Sequence, residues 1–261
     1  MNLKITTKTN KSLSVIIAAG GDALRLGQSI PKQFVLLGGK PFLIHCVEKF
    51  LMLENIIEII ILTSNISETN LLLNEYDYLE GSKPVKIKAV IGGKLRKDSV
   101  YNGFFSLTQK VDLVLVHDVA RPLVKLKDTV NCIEVASKTN AAILASPVVD
   151  TFKRGKLNNN ELLVETTIDR ENLYSIQTPQ VISYDLLKEV YEKDSCKEGV
   201  KLNFTDEAML LEHYGKPVNL VIGSNTNIKI TYPDDLKIAE AIFNNEKKEL
   251  NLERNLLTAN S

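Results

Sequence analysis

The stretch LSVIIAAGGDALRLGQSIPKQ, Leu13–Gln33, decides the fold. It opens with a continuous apolar, β-branched run, and a strand apolar on both faces belongs in the interior of a parallel sheet. The run stops at Gly20 and Gly21, and a polar loop leads on to Lys32 and Gln33. Outward from here the pattern repeats. Pro41–Leu53 spaces Phe42, Leu43, Cys46, Val47, Phe50 and Leu51 as a helix; Ile56–Leu62 is a second buried strand; Ser67–Leu79 is a helix; Val85–Ile91 is a third strand closed by Gly92 and Gly93. Helix Asp98–Leu107, strand Asp112–His117, helix Leu126–Lys138 and strand Ala141–Pro147 follow. This alternation predicts an α/β fold built on a doubly wound, mostly parallel sheet. Such sheets bind ligands beyond the carboxyl ends of their strands, and the polar motifs fall there.

The rhythm breaks from about Val148 to Gln180. Two short strands around the LNNNE turn predict an inserted β-arm at about 148–178. Helices Tyr184–Tyr191 and Thr205–Tyr214, strand Val218–Ile222 and helix Pro233–Asn244 restore the pattern. The reading is one domain over 13–245, with polar termini at 1–12 and 246–261, the last residues frayed.

Of 261 residues, 44% are hydrophobic and 25% charged, as in an ordinary folded domain. Lys plus Arg (32) equals Asp plus Glu (32), so there is none of the basic excess of a nucleic-acid binder. No nucleic-acid partner is expected, and any positive potential is local. The N-terminus lacks the apolar core of a secretory signal, and no run reaches the ~18 apolar residues of a membrane span. Cys46, Cys132 and Cys196 are far apart and form no CxxC, so they read as ordinary free thiols. A cytoplasmic location is expected.

Three motifs carry chemistry. AAGGDALRLGQSIPKQ, Ala18–Gln33, places small residues after a buried strand, where backbone N–H groups can approach phosphate oxygens, and adds the cations Arg25 and Lys32. It lacks both the GK[ST] of a Walker loop and the GxGxxG of a dinucleotide fold, so it also reads as a plain strand-to-helix turn. GGKLRKDSV, Gly92–Val100, is a second close-approach turn; Ser99 suits a base or ribose contact, and Asp98 or Ser99 equally suits a helix cap. VHDVARP, Val116–Pro122, ends a buried strand on Asp118, whose carboxylate suits a hydroxyl or a magnesium-bound water, followed by the donor fork of Arg121. A structural Asp118–Arg121 pair is the plainer reading, and His117 reads as structural because no nucleophile accompanies it.

These motifs, with PVVDTFKR, TIDRENLYSIQTPQ, TDEAMLLEHYG and NIKITYPDDL, stand in an order that resembles the 2-C-methyl-D-erythritol 4-phosphate cytidylyltransferase family over about Ser14 to Ala241. The sequence departs from the family pattern at Gly21–Leu24, at Lys94 and at Val119, where the family usually has alanine. The resemblance implies a Rossmann-like nucleotidyltransferase that uses CTP, a polyol phosphate and Mg²⁺. By the same resemblance, Ala18, Ala19 and Gly20 line the nucleotide; Arg25 and Lys32 hold the triphosphate and stabilise the transition state. Gly92, Gly93, Lys94 and Ser99 face cytosine and ribose, and Asp118 and Arg121 face the polyol and phosphates. Thr151, Arg170, Thr178, Thr205 and Lys229 grip the acceptor, with Arg170 and Lys229 orienting its phosphate. The 148–178 arm is expected to hook a second subunit, giving a homodimer in which Thr151 and Arg170 reach the partner's site. The alternative within the same chemistry is a pentitol-phosphate enzyme using ribitol 5-phosphate. A non-catalytic nucleotide-binding module is a further alternative, and a dinucleotide oxidoreductase is disfavoured by the missing fingerprint.

Overall fold

The computed structural model describes residues 4–27, 29–79, 84–195 and 204–259. Its framework is β1 Leu13–Ala18, α1 Phe42–Leu51, β2 Ile56–Thr63, α2 Ile66–Glu75, β3 Lys86–Ile91, α3 Arg96–Phe105, β4 Leu113–Asp118, α4 Leu126–Thr139 and β5 Ala141–Pro147. The hairpin β6 Phe152–Asn158 and β7 Glu161–Ile168 follows, then β8 Tyr174–Ser183, α5 Tyr184–Ser195, α6 Glu207–His213, β9 Asn219–Ile222 and α7 Pro233–Ala259.

Seven strands form one sheet in the order β9-β5-β8-β4-β1-β2-β3. β1 pairs parallel with β2 and β4, β2 with β3, and β5 with β9. β8 runs antiparallel to both neighbours. The central strands β1, β2 and β4 are mainly apolar because both faces are covered. Val15, Ile17, Ile59, Ile61 and Leu115 pack with Phe42, Val47 and Phe50 of α1 and with Cys132 and Ile133 of α4. Ile16, Ile60, Leu62, Val114 and Val116 face the other way, onto Val100 and Phe104 of α3, Leu187 of α5 and Leu211 of α6. Removing a ring such as the fully buried Phe50 would cost about 3–5 kcal/mol.

The arm is shorter than the sequence suggests. Only β6 and β7 leave the sheet, joined by Asn159 and Asn160, both at positive φ, which asparagine tolerates. Tyr174–Ser183 belongs to the main sheet instead. Its polar residues Gln177 and Gln180 are buried at no hydrogen-bonding loss, since Gln177 donates to Ser224 O and Gln180 bridges Asp206 and the start of α6. The frayed C-terminal end also differs: α7 continues to Ala259. Cys196 lies outside the described residues, as do 1–3 and 260–261 of the termini; Cys46 and Cys132 are free, and burial pushes the Cys46 thiol up to about 12. No helix among the described residues is long and apolar enough to cross a membrane.

Candidate active site

The carboxyl ends of β1, β2, β3 and β4 open on one edge of the sheet, and a cavity of about 720 Å³ lies against it. The first wall is the loop after β1. Ala19, which the resemblance places at the nucleotide, is fully buried and donates its N–H to Leu62 O at 2.9 Å, anchoring the loop. Ala18, Gly20, Gly21, Arg25 and Lys32 line the cavity. Backbone hydrogen bonds fold the loop back on itself: Lys32 N donates to Gly21 O at 3.1 Å, and Gly27 closes a short 3₁₀ turn at φ 71°.

Lys32 is 6% exposed, and its ammonium donates to Ile230 O at 3.0 Å. Burial lowers its pKa, and the nearby charges of Arg25 and Lys229 lower it further. Arg25 is exposed, with its guanidinium carbon 6.0 Å from the Tyr232 ring centroid.

The second wall is the turn after β3. A Cβ on Gly93 would stand 2.3 Å from Asp98 Cβ, and one on Gly92 would stand 2.8 Å from Ser99 Oγ. Both glycines are therefore fixed by close approach. Ser99 Oγ accepts from Gly93 N at 2.9 Å and donates to Leu95 O at 3.0 Å, holding the turn against α3. The N-cap is Leu95, not Asp98 or Ser99; Asp98 reaches back from inside the helix to accept from Leu95 N at 3.3 Å. Lys94 and Ser99 both line the cavity.

Asp118, the last residue of β4, is the electrostatic hub. Its Oδ1 accepts from Arg96 Nε at 3.2 Å and its Oδ2 from Lys229 Nζ at 2.7 Å. Burial alone would raise this carboxyl, but Arg96 and Lys229 hold it well below the usual carboxylate range. Arg96 also donates from Nη1 to both oxygens of Glu207, at 2.9 and 3.0 Å. Glu207 is 2% exposed; burial raises its pKa, and Arg96 opposes that rise. The two carboxylates shift in opposite directions because Asp118 faces Lys229 as well as Arg96, whereas Glu207 faces Arg96 together with the negative Asp206 and Asp118.

The Asp118–Arg121 pair read from the sequence is not formed. Arg121 directs its fork to Asn227 O at 2.7 Å and Ile176 O at 3.2 Å. His117 is fully buried: Thr178 Oγ1 lies 3.1 Å from its Nδ1, and its Nε2 lies 3.1 Å from Arg121 O. A neutral ring protonated at Nε2 satisfies both contacts, and burial depresses its pKa to about 3. Thr178 also accepts from Asp118 N at 3.0 Å, so its hydroxyl braces the hub.

A smaller cavity of about 210 Å³ adjoins the first, sharing Arg96, Asp118 and Lys229 with it. Arg121, Thr178 and Thr205 line it. Thr151 and Arg170 line neither cavity; both are exposed at the base of the arm, and Arg170 donates to Val149 O at 2.5 Å. Arg96 and Glu207 were not singled out from the sequence. Arg96 sits inside a quoted motif between Lys94 and Lys97, and no local pattern separates it from its neighbours.

No cluster of three or more His, Cys, Asp or Glu side chains suited to a metal occurs among the described residues. Asp22 and Asp118 are the carboxylates lining the larger cavity. That donor set fits Mg²⁺ arriving on substrate phosphates, since Mg²⁺ commonly takes one or two carboxylates plus phosphate oxygens.

The family model described as 2-C-methyl-D-erythritol 4-phosphate cytidylyltransferase matches residues 13–245. The enzyme of that name from Alkaliphilus oremlandii is 38% identical over 236 residues, covering 90% of this chain and 96% of its own length. The chloroplastic enzyme of rice is 36% identical over 237 residues, covering 90% of this chain and 75% of its own. Among solved structures, the Thermus thermophilus cytidylyltransferase superposes with a TM-score of 0.68 at 31% identity, covering 88% of this chain and 98% of its own. The 4-diphosphocytidyl-2C-methyl-D-erythritol synthase of Anaerococcus prevotii gives 0.72 at 28%, covering 90% and 96%.

Proposed function

The chain belongs to the 2-C-methyl-D-erythritol 4-phosphate cytidylyltransferase family, and from that membership we propose how its own residues carry the reaction. The enzyme joins the CMP unit of CTP to 2-C-methyl-D-erythritol 4-phosphate. It forms 4-diphosphocytidyl-2-C-methyl-D-erythritol and releases pyrophosphate, a step of non-mevalonate isoprenoid precursor synthesis. The observation that supports the residue assignment is the gathering of Arg25, Lys32, Arg96 and Lys229 around two joined cavities, with Asp118 at the junction.

The larger cavity takes CTP, with cytosine and ribose against the Gly92–Gly93 turn, Lys94 and Ser99. The triphosphate lies along Ala18, Gly20, Arg25 and Lys32. The smaller cavity takes the acceptor, whose phosphate oxygen attacks the α-phosphorus while the bond to pyrophosphate breaks. Both reactants are anions, so the protein's task is to neutralise and align them. A phosphate is largely ionised near neutral pH, so no general base is needed, and His117 stays structural. Arg25 and Lys32 face the charge that develops on the α-phosphate and the leaving group. Lys32 suits this work because it is already desolvated and held by Ile230 O. Lys229 orients the acceptor phosphate. Asp118, together with the substrate phosphates, would hold Mg²⁺, which would supply charge neutralisation there.

Thr151 and Arg170 enter through a second copy. The arm exposes Leu157, Leu162, Leu163 and Val164, an apolar set that a monomer does not cover. In the proposed homodimer these residues seat on the partner, and Thr151 and Arg170 reach its acceptor cavity. A cytoplasmic location and the absence of a nucleic-acid partner belong to the same proposal, supported by the free thiols and the balanced charge.

The relatives compared above are named for methylerythritol phosphate, and nothing favours the pentitol-phosphate alternative. The test is pyrophosphate release with CTP and Mg²⁺, run with methylerythritol phosphate, ribitol 5-phosphate or no acceptor. Release with the first alone is expected; release with ribitol 5-phosphate alone would overturn the acceptor assignment.

A further inference from the structure

Four side chains of alternating sign run in a line from one layer of the fold to the cavity mouth. Glu207 at the start of α6 holds Arg96 at the start of α3; Arg96 holds Asp118 at the end of β4; Asp118 holds Lys229 on the segment before α7. The first three are largely buried, with side-chain exposures of 3%, 23% and 11%, while Lys229 is 46% exposed. We propose that Glu207 is a positioning residue for acceptor binding: through Arg96 it fixes Asp118, and through Asp118 it aims Lys229 at the acceptor phosphate. This deepens the cytidylyltransferase reading and rests on it.

The donor pattern of Arg96 carries the argument. Nη1 serves both oxygens of Glu207 and Nε serves Asp118 Oδ1, so two carboxylates fix the guanidinium plane. Asp118 Oδ2 is thereby left to Lys229. Nη2 is buried and has no partner among the described residues. Without the Glu207 charge, Arg96 would keep one carboxylate and several unmet donors. Its fork would then turn to take both oxygens of Asp118, displacing Lys229 from Oδ2. Glu207 is itself held in place: Gln180 Oε1 accepts from the backbone N–H groups of Glu207 and Ala208, each at 3.1 Å. A buried ion pair is weak evidence for added stability, while the grip of two carboxylates on Arg96 fixes the direction of its guanidinium.

The test is steady-state kinetics on Glu207→Gln, read for each substrate separately, with thermal melting alongside. Loss of one charge-assisted contact at the acceptor corresponds to about a 10- to 100-fold rise in KM for methylerythritol phosphate. KM for CTP should rise by much less, because Glu207 itself lines neither cavity and its effect on the acceptor passes through Lys229, although Arg96 belongs to the base turn. In a Lys229→Ala background the same substitution should add little, since its effect passes through Lys229. Equal changes in both KM values, or a fully additive loss in that background, would overturn the proposal in favour of a structural role. If Glu207→Gln does not fold, Arg96→Lys carries the test: it keeps the charge and loses the fork, and an unchanged acceptor KM would overturn the proposal. Normal wild-type turnover with an unaffected Glu207→Gln sinks this proposal alone. A folded wild type that binds CTP yet never transfers it sinks the transferase reading and this proposal with it.

Discussion

Lys32 donates its ammonium to the backbone carbonyl of Ile230 at 3.0 Å, so the loop after the first strand and the segment before the last helix meet at one cation. That segment also carries Lys229, bound to Asp118, and Tyr232, whose ring neighbours Arg25. Its own backbone is pinned by Ile230 N to Ala120 O at 2.9 Å, and by Asp235, which accepts from Thr231 N and Tyr232 N at 2.8 Å each. Residues 198 positions apart are thus ordered by a short piece of chain.

Lys32→Ala is expected to lower turnover by about 10²–10³, the range for removing a transition-state donor. The pH profile gives a second check. Burial and neighbouring cations lower the Lys32 pKa, so the free enzyme loses this charge, and with it kcat/KM for CTP, at lower pH than an ordinary lysine would allow. Lys32→Arg keeps its charge at all working pH and should move that alkaline limb upward. A limb unchanged in Lys32→Arg would remove Lys32 as its source.

His117 predicts an acid-sensitive fold. Its folded pKa is depressed to about 3, while the unfolded ring takes up a proton near 6.5. Between these values the unfolded state binds more protons, so stability rises with pH across the window and is lost as pH falls from about 6.5. Urea melts at about pH 7 and about pH 5 should show the loss, and His117→Gln should flatten it. An equal slope in the variant would assign the acid sensitivity to other groups.

Gly93→Ala should damage nucleotide binding. The added methyl would overlap Asp98 Cβ, so the turn must shift away from α3. The Ser99 contact to Gly93 N would go with it, raising the Kd for CTP by about tenfold or more. Titration calorimetry with CTP measures this directly, and an unchanged Kd would mean that the turn does not hold the nucleotide.

Much of this architecture is legible in the sequence because burial on two faces leaves a local mark. Leu13–Ala18, Ile56–Thr63 and Leu113–Asp118 are largely apolar runs, broken by single polar residues such as Ser14 and Glu58, and each ends at the edge where the site forms. β8 left no such mark. Its QTPQ segment carries polar residues and proline, and falls in the stretch read as the inserted arm; its amides are satisfied only by distant groups such as Ser224 and Asp206. Arg96 was hidden for the same reason: Glu207, the partner that fixes it, is 111 residues away. Arg121 was legible as a cation, but its carbonyl partners arise only when β8 and the segment around Asn227 come together.

The arm should control assembly. Leu162 is 77% exposed on β7, and Leu162→Asp would put a charge where the proposed partner packs. Light scattering should give the mass of two chains for the wild type and of one for the variant, with acceptor turnover falling in parallel. A wild-type monomer with full activity would end the arm-exchange account.

Phosphorus NMR of the reaction shows whether this chain couples CTP to methylerythritol phosphate. The acceptor's monophosphate signal should be replaced by a diphosphate pair, with one pyrophosphate formed per coupled product and none formed without acceptor. Pyrophosphate released with no coupled diphosphate, or a mixture left unchanged by folded enzyme that binds CTP, would contradict it.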